Sequence, residues 1–150
     1  MKRRIRDALR RREVVRVTRN VSVREACKVM NAQGVGAVVV MEGDTLEGIF
    51  TERDVLTRVI ALDRDPDVTS LDEVMTTSLV TMGPDDWALD ALRLMSEIGF
   101  RHIPVVEQGR VFGMISLRDF VGAELQQTDL ADSLPDGNGR LRNEMDPSSP

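Results

Sequence analysis

Gly48-Ile49-Phe50-Thr51-Glu52-Arg53-Asp54 returns as Gly113-Met114-Ile115-Ser116-Leu117-Arg118-Asp119, displaced by 65 residues with no gap. The same displacement pairs Ala26 with Ala91, Met30 with Met95, Gly34 with Gly99, Val40 with Val105 and Glu42 with Glu107. A chain that repeats a unit of this size folds as two copies of one supersecondary unit, and the two copies build paired surfaces. Any reading of function must account for both copies of the motif.

The length of 150 residues allows one compact domain or two small intimate ones, with enough chain for a core. With 41% hydrophobic and 30% charged residues the composition is that of a globular protein, and no apolar run reaches the roughly 18–20 residues a membrane span needs. The first residues lack the apolar stretch of a secretory signal, and a single cysteine suits a reducing cytoplasm, so a cytoplasmic protein without membrane contact is expected. One His and one Cys are too few for a zinc site. They also leave no Ser-His-Asp or Cys-His set, and Asp54 and Asp119 belong to separate units, so no enzyme is expected.

The net charge of −5 conceals an asymmetry. Lys2, Arg3, Arg4, Arg6, Arg10, Arg11 and Arg12 crowd the start, against one acid, Asp7. Such an arm can hold nucleic acid or an acidic partner. No aromatic residue accompanies it to stack on bases, which favours a solvated helix that feeds the first strand.

Hydrophobic periodicity gives the element order. Residues 3–12 read as a short amphipathic helix, and 14–17 as a strand. Ser22-Val23-Arg24-Glu25 has the form of a capping box and opens a helix that ends near Gly34. Residues 36–41 form a covered strand, 46–50 its hairpin partner, and Thr51 starts the next helix with Val55, Leu56, Val59 and Ile60. The unit is β-α-β-β-α, and the fold class is α/β, a tandem βαββα repeat. A polar stretch with Pro66 and a second capping box at Ser70-Leu71-Asp72-Glu73 joins the halves. In the second unit 80–82 is a strand, 101–106 and 110–115 a hairpin, and 117–126 the closing helix. The organisation is therefore a basic segment (1–13), repeat one (14–62), a linker with a short helix (63–78), repeat two (79–126) and an acidic tail (127–150) expected to be disordered.

Thr51-x-x-Asp54 and Ser116-x-x-Asp119 each sit where a strand becomes a helix. A hydroxyl at the N-cap and a carboxylate three residues on satisfy free amides, and capping alone would select these residues. The surroundings suggest more. Gly48 and Gly113 permit close backbone approach. Arg53 and Arg118 stand beside helix starts, as phosphate ligands do, and the oxygens of Asp54 or Asp119 can accept from both hydroxyls of a ribose. Capping and nucleotide binding both remain open on the residues alone.

The repeated unit resembles the cystathionine β-synthase (CBS) domain, and the chain resembles a tandem CBS pair from about Val15 to Leu125. The resemblance rests on the Gly-x-x-Thr/Ser-x-x-Asp motif after each hairpin, on Arg101-His102-Ile103-Pro104-Val105-Val106, and on Asp72-Glu73-Val74-Met75 ahead of Val80-Thr81-Met82. It implies two units packed sheet against sheet about a pseudo-twofold axis, with two clefts that take adenine nucleotides: AMP, ADP or ATP, or NAD(H) or S-adenosylmethionine. It implies ribose contacts from Thr51 and Asp54 in one cleft and Ser116 and Asp119 in the other. Phosphate contacts would cross over, with Arg118, Arg101 and His102 serving the Asp54 nucleotide and Arg53 the Asp119 nucleotide. The base would lie against Val17, Ala37, Met82 and Ile103. Gly36-Ala37 stands where the second unit has Arg101-His102, which implies a weaker phosphate grip in the Asp119 cleft.

The resemblance further implies a regulatory module that signals to a separate effector protein, and a homodimer through the helices after each Asp, with Phe120 and Leu125 at the contact. A protein or nucleic-acid interaction module with structural clefts is the alternative. Cys27, Met30, Met75, Met82, Met95 and Met114 read as core, and Trp87 as a packing residue.

Overall fold

The computed structural model describes residues 2–10, 13–120 and 122–125, and the acidic tail expected to be disordered lies outside them. Each repeat contributes an antiparallel hairpin with a helix before and after it. In repeat one, β2 (Ala37–Glu42) and β3 (Thr45–Thr51) pair antiparallel, and β1 (Arg16–Val17) lies parallel to β2 through Arg16↔Val39. In repeat two, β4 (His102–Glu107) and β5 (Arg110–Ser116) pair in the equivalent register, with Pro104 opposite Met114 as Val39 is opposite Ile49.

The helices α2 (Val23–Gln33) and α5 (Ala88–Ile98) precede the hairpins, and each ends on a left-handed glycine, Gly34 at φ 65° or Gly99 at φ 77°. Their apolar stripes cover the sheets. Val23, Ala26 and Met30 pack with Val38, Val40 and Phe50; Ala88, Ala91, Leu92 and Met95 pack with Ile103, Val105 and Ile115. Cys27 lies half-buried against the first of these cores, its thiol pushed up in pKa by burial. A third cluster joins the repeats. Val39, Met41 and Leu46 meet Val14, Val111 and Met114, and Arg16 donates to the Val111 carbonyl at 3.3 Å. The linker helix α4 (Leu71–Val74) starts on the expected Ser70–Glu73 capping box.

Four expectations are corrected. The basic segment is not a solvated helix over 3–12. Its helix α1 is only Ile5–Ala8, with Ile5, Ala8 and Leu9 buried in the core of repeat two. The Ile5 and Arg6 amides bond the Asp86 and Pro84 carbonyls, and Arg4 stacks its guanidinium 3.7 Å from the Trp87 ring centre.

The strand over 80–82 reduces to one parallel bridge, Met82↔Val105. In repeat one the Val39 amide donates to the Val15 carbonyl at 3.0 Å. The residue 65 positions on is Pro104, which has no N–H to give to Val80.

The helix after Asp54 runs as α3 (Glu52–Asp54) and then widens to a π-helix over Val55–Ile60. The counterpart after Asp119 is broken. A 3-10 turn, Leu117–Asp119, gives way to extended Phe120 (ψ 147°) before α6 (Gly122–Leu125). Phe120 turns inward and is 4% exposed, packed in the core of repeat two, so it offers no surface for dimer contact.

Candidate functional site: two pseudo-equivalent clefts

Two cavities lie where the repeats face each other, and they are built from the same positions. The first, of about 320 Å³, is lined by Thr51, Glu52, Arg53 and Asp54 of one repeat and by Val80, Phe100, Arg101, His102 and Pro104 of the other. The second, of about 810 Å³, is lined by Ser116, Leu117, Arg118 and Asp119 and by Val15, Val35, Gly36 and Ala37. Each residue in the second set, Pro104's partner apart, is displaced by 65 from one in the first. Both volumes fall in the range of about 300–1,000 Å³ that suits small organic ligands.

The motif residues do act as caps. Asp54 Oδ2 accepts from the Thr51 amide at 3.0 Å while Thr51 Oγ1 accepts from the Asp54 amide at 3.2 Å. Asp119 Oδ2 accepts from the Ser116 amide at 2.7 Å. Capping uses one oxygen of each carboxylate, and the other is held differently in the two clefts. Asp54 Oδ1 lies 3.5 Å from Arg58 Nε, one helical turn on, and Arg58 in turn donates to the Val74 and Met75 carbonyls. Asp119 Oδ1 accepts from the Arg10 amide at 3.0 Å. Both carboxylates are nearly buried and still line their cavities, so a ligand hydroxyl would meet a fixed acceptor.

The glycines of the motif are explained by packing. A Cβ on Gly48 would stand 2.8 Å from Met75 Sδ and 3.0 Å from the Thr76 carbonyl; one on Gly113 would stand 3.0 Å from Leu9 Cδ1. Each glycine admits the segment that runs into the start of the other repeat.

Arg101 and His102 line both cavities, and so does Glu52. They form the wall between the clefts. Burial lowers the pKa of His102, with Glu52 raising it and Arg118 lowering it further, so the imidazole is neutral near pH 7.

Arg101 and His102 reach the Asp54 cavity from the opposite repeat, as the resemblance implies, whereas Arg53 and Arg118 stay on their own side. Arg53 lines the cavity of its own Asp54 and donates to the Gly99 carbonyl at 3.0 Å, and Arg118 lines the cavity of its own Asp119. The reason is local: each arginine directly precedes its carboxylate on the same turn. Of the four expected base-lining residues, Ala37 lines one of these two clefts, and Val17, Met82 and Ile103 line neither. Ile103 is fully buried, and Val17 and Met82 pack against the cores. The walls are instead Val15 and Val80, two residues earlier in each chain segment.

Sequence reasoning missed Glu52, Arg58, Phe100, Val80, Pro104 and Arg10. Arg58 was signalled by its spacing of four from Asp54. The place of Arg10 was not signalled, since its bond spans 109 residues of chain.

The CBS domain profile matches residues 5–61 and again 71–125. The chain belongs to the CBS domain family. The CBS domain-containing protein YhcV of Bacillus subtilis is 36% identical over 107 residues, which cover 71% of this chain and 76% of that one. Of several longer Arabidopsis thaliana CBS proteins the chain spans only 17% to 56%. Among solved structures, the CBS domain NE2398 superposes with a TM-score of 0.76 at 30% identity, covering 79% of this chain and 94% of that one. The CBS domain protein PAE2072 from Pyrobaculum aerophilum, solved in complex with AMP, has a TM-score of 0.73 at 25% identity, covering 83% and 96%. The tandem βαββα architecture expected from the sequence is thus that of solved CBS structures, and proteins of this kind are generally regulatory.

Proposed function

We propose that this chain is a non-catalytic regulatory module that binds adenine nucleotides in its two clefts and passes the signal to a separate effector protein. AMP, ADP and ATP are the first ligands to consider, with NAD(H) and S-adenosylmethionine after them. The observation that carries the reading is the pairing itself: two cavities at equivalent positions, each with a fixed carboxylate, a hydroxyl residue and arginines. The AMP complex of PAE2072 supports the choice of nucleotide.

In this reading Asp54 and Asp119 take the ribose hydroxyls beside Thr51 and Ser116. Arg53 serves the phosphates of the Asp54 cleft, Arg118 those of the Asp119 cleft, and Arg101 and His102 serve both. Adenine enters against Val80 or Val15. Pro104 leaves the Val80 carbonyl without its strand donor, so that carbonyl is available to accept from the 6-amino group of adenine, a donor that guanine and hypoxanthine lack.

Ligand acts by binding one arrangement of the paired repeats, or of a dimer, more tightly than another. Leu56 and Ile60, 63% and 54% exposed on the helix after Asp54, are the apolar surface for a homodimer. A cytoplasmic, reducing setting suits the single thiol of Cys27. A nucleic-acid role for the basic segment has less support, because Arg3, Arg4 and Arg6 are engaged with Glu124, Trp87 and Asp85.

The test is calorimetric titration of nucleotide-stripped protein with each ligand, repeated on Asp54→Ala and Asp119→Ala. Loss of one site per substitution supports the reading. No heat with any ligand, together with a melting temperature unmoved by excess ligand, would refute it.

A further inference from the structure

The two clefts differ in what holds the carboxylate. Asp54 is steadied from its own helix by Arg58, whereas Asp119 is steadied by the Arg10 backbone amide at 3.0 Å. The same N-terminal segment grips the Asp119 turn a second time, through Arg3 Nη2 to the Asp119 carbonyl at 3.0 Å. Between these two grips lie the buried side chains of Ile5, Ala8 and Leu9, and Leu9 occupies the space that Gly113 leaves open. Arg10 is also part of the cavity lining, on the same cavity as Arg101, His102 and Arg118. The equivalent segment of repeat one ends at Met75, 65 positions after Arg10, and among the described residues it is joined to Asp54 through the Arg58 side chain, not through a backbone amide.

We propose that the N-terminal segment 3–10 is a working part of the Asp119 cleft, and that a nucleotide bound there clamps this segment onto repeat two. The proposal rests on the reading of that cleft as a nucleotide site. The Arg10 amide fixes the carboxylate in the orientation that meets the ribose hydroxyls, leaving its remaining lone pairs for them. The Arg10 guanidinium adds a positive charge to the wall that faces the phosphates. Segment docking and nucleotide binding therefore favour each other, and by linkage each strengthens the other by one common factor. The Asp54 cleft is joined instead to the linker, through Arg58 and the Val74 and Met75 carbonyls, so the two sites report differently: the Asp119 cleft speaks through residues 3–10.

The experiment combines calorimetry with hydrogen–deuterium exchange of the N-terminal peptide, with AMP and ATP as probes. In the Asp54→Ala background, which leaves the Asp119 cleft to bind, Arg10→Ala removes the guanidinium and keeps the amide. Arg10→Pro removes both, and Leu9 already has the extended backbone (ψ 116°) that a following proline requires. Arg10→Ala is expected to weaken ATP about tenfold, and Arg10→Pro further, as the loss of charged and then positioning contacts predicts. ATP is expected to slow exchange of the segment in the wild-type chain and in Asp54→Ala, but not in Asp119→Ala. A melting curve of Arg10→Pro separates lost binding from lost folding. Binding at the Asp119 cleft with exchange unchanged or accelerated would overturn the clamp while leaving nucleotide binding intact. Absence of binding in every variant would overturn both.

Discussion

Replacing Pro104 by Val tests whether a missing strand hydrogen bond creates the adenine-reading group. Val39 occupies the equivalent place in repeat one and donates to Val15 at 3.0 Å, so the backbone there accepts an ordinary residue. The variant regains an amide at 104, and that amide pairs with the Val80 carbonyl. The new bond contributes about 0.5–1.5 kcal/mol to stability. Loss of the proline restores freedom to the unfolded chain and costs about 0.4–1 kcal/mol. The two effects offset each other to within about 1 kcal/mol, which for a chain of this size moves the melting temperature by about 2–4 °C at most. Stability is therefore a poor readout, and base selectivity is the proper one. In an Asp119→Ala background, so that only the Asp54 cleft binds, the parent should prefer AMP to inosine monophosphate by about tenfold, the worth of one hydrogen bond of about 1.4 kcal/mol. Pro104→Val should lose that preference while keeping similar affinity for inosine monophosphate. Competition calorimetry with the two ligands measures it. An unchanged AMP preference in the variant would refute the assignment of the Val80 carbonyl.

The segment that precedes the first strand is part of the core, so Ile5→Ala, at a fully buried site, should destabilise the protein by about 2–5 kcal/mol in denaturant unfolding; a loss under about 0.5 kcal/mol would mean the segment is dispensable. Gly48→Ala should cost about 1–3 kcal/mol because the Thr76 carbonyl cannot yield, while Gly113→Ala, which meets only the end of the Leu9 side chain, should cost less; the reverse order would contradict the packing. His102, with its pKa lowered by burial, contributes stability that is complete above its ordinary value of 6.5 and is lost as pH falls towards the lower folded value. Phosphates favour the protonated imidazole, so nucleotide affinity should rise from about pH 8 to about pH 5.5, and His102→Gln should flatten that rise in pH-dependent titrations.

The duplication, the element order and the paired motifs were legible because they depend on local spacing. A strand-to-helix turn with a hydroxyl and a carboxylate three residues apart announces itself, and Thr51 and Asp54 form the reciprocal cap that this spacing predicts. The wiring between distant segments was not legible. The Arg10 amide carries no side-chain signature, so nothing in the sequence marks it as the partner of Asp119. The basic charges also misled, since a run of arginines reads as solvated surface, whereas here the apolar residues between them enter the core. The cavity that Arg53 or Arg118 lines was not legible for a related reason: it depends on how the sheets face, and periodicity is silent on that.

The pseudosymmetry is broken at positions that shape the clefts, and those positions have related effects. Pro104 in place of Val39 removes the amide that would pair with the Val80 carbonyl at the smaller cleft. Gly36-Ala37 in place of Arg101-His102 removes bulk from the larger cleft, and a side chain at Gly36 would meet Glu52 Oε1 at 3.0 Å and His102 Nε2 at 3.5 Å. The missing side chain at Gly36 leaves room for Glu52 and His102, which with Arg101 line both cavities. The Asp119 cleft is therefore lined by Arg101 and His102 as well as by Arg10 and Arg118. In the proposed reading, phosphates in the two clefts then draw on one shared cation, Arg101, and on the His102 imidazole beside it. A second highly charged nucleotide meets a wall already neutralised by the first, so triphosphates should compete between clefts more than monophosphates do. In the same reading, the larger cavity and its one extra arginine, Arg10, favour the more heavily phosphorylated ligand at Asp119, and the Val80 carbonyl favours adenine at Asp54.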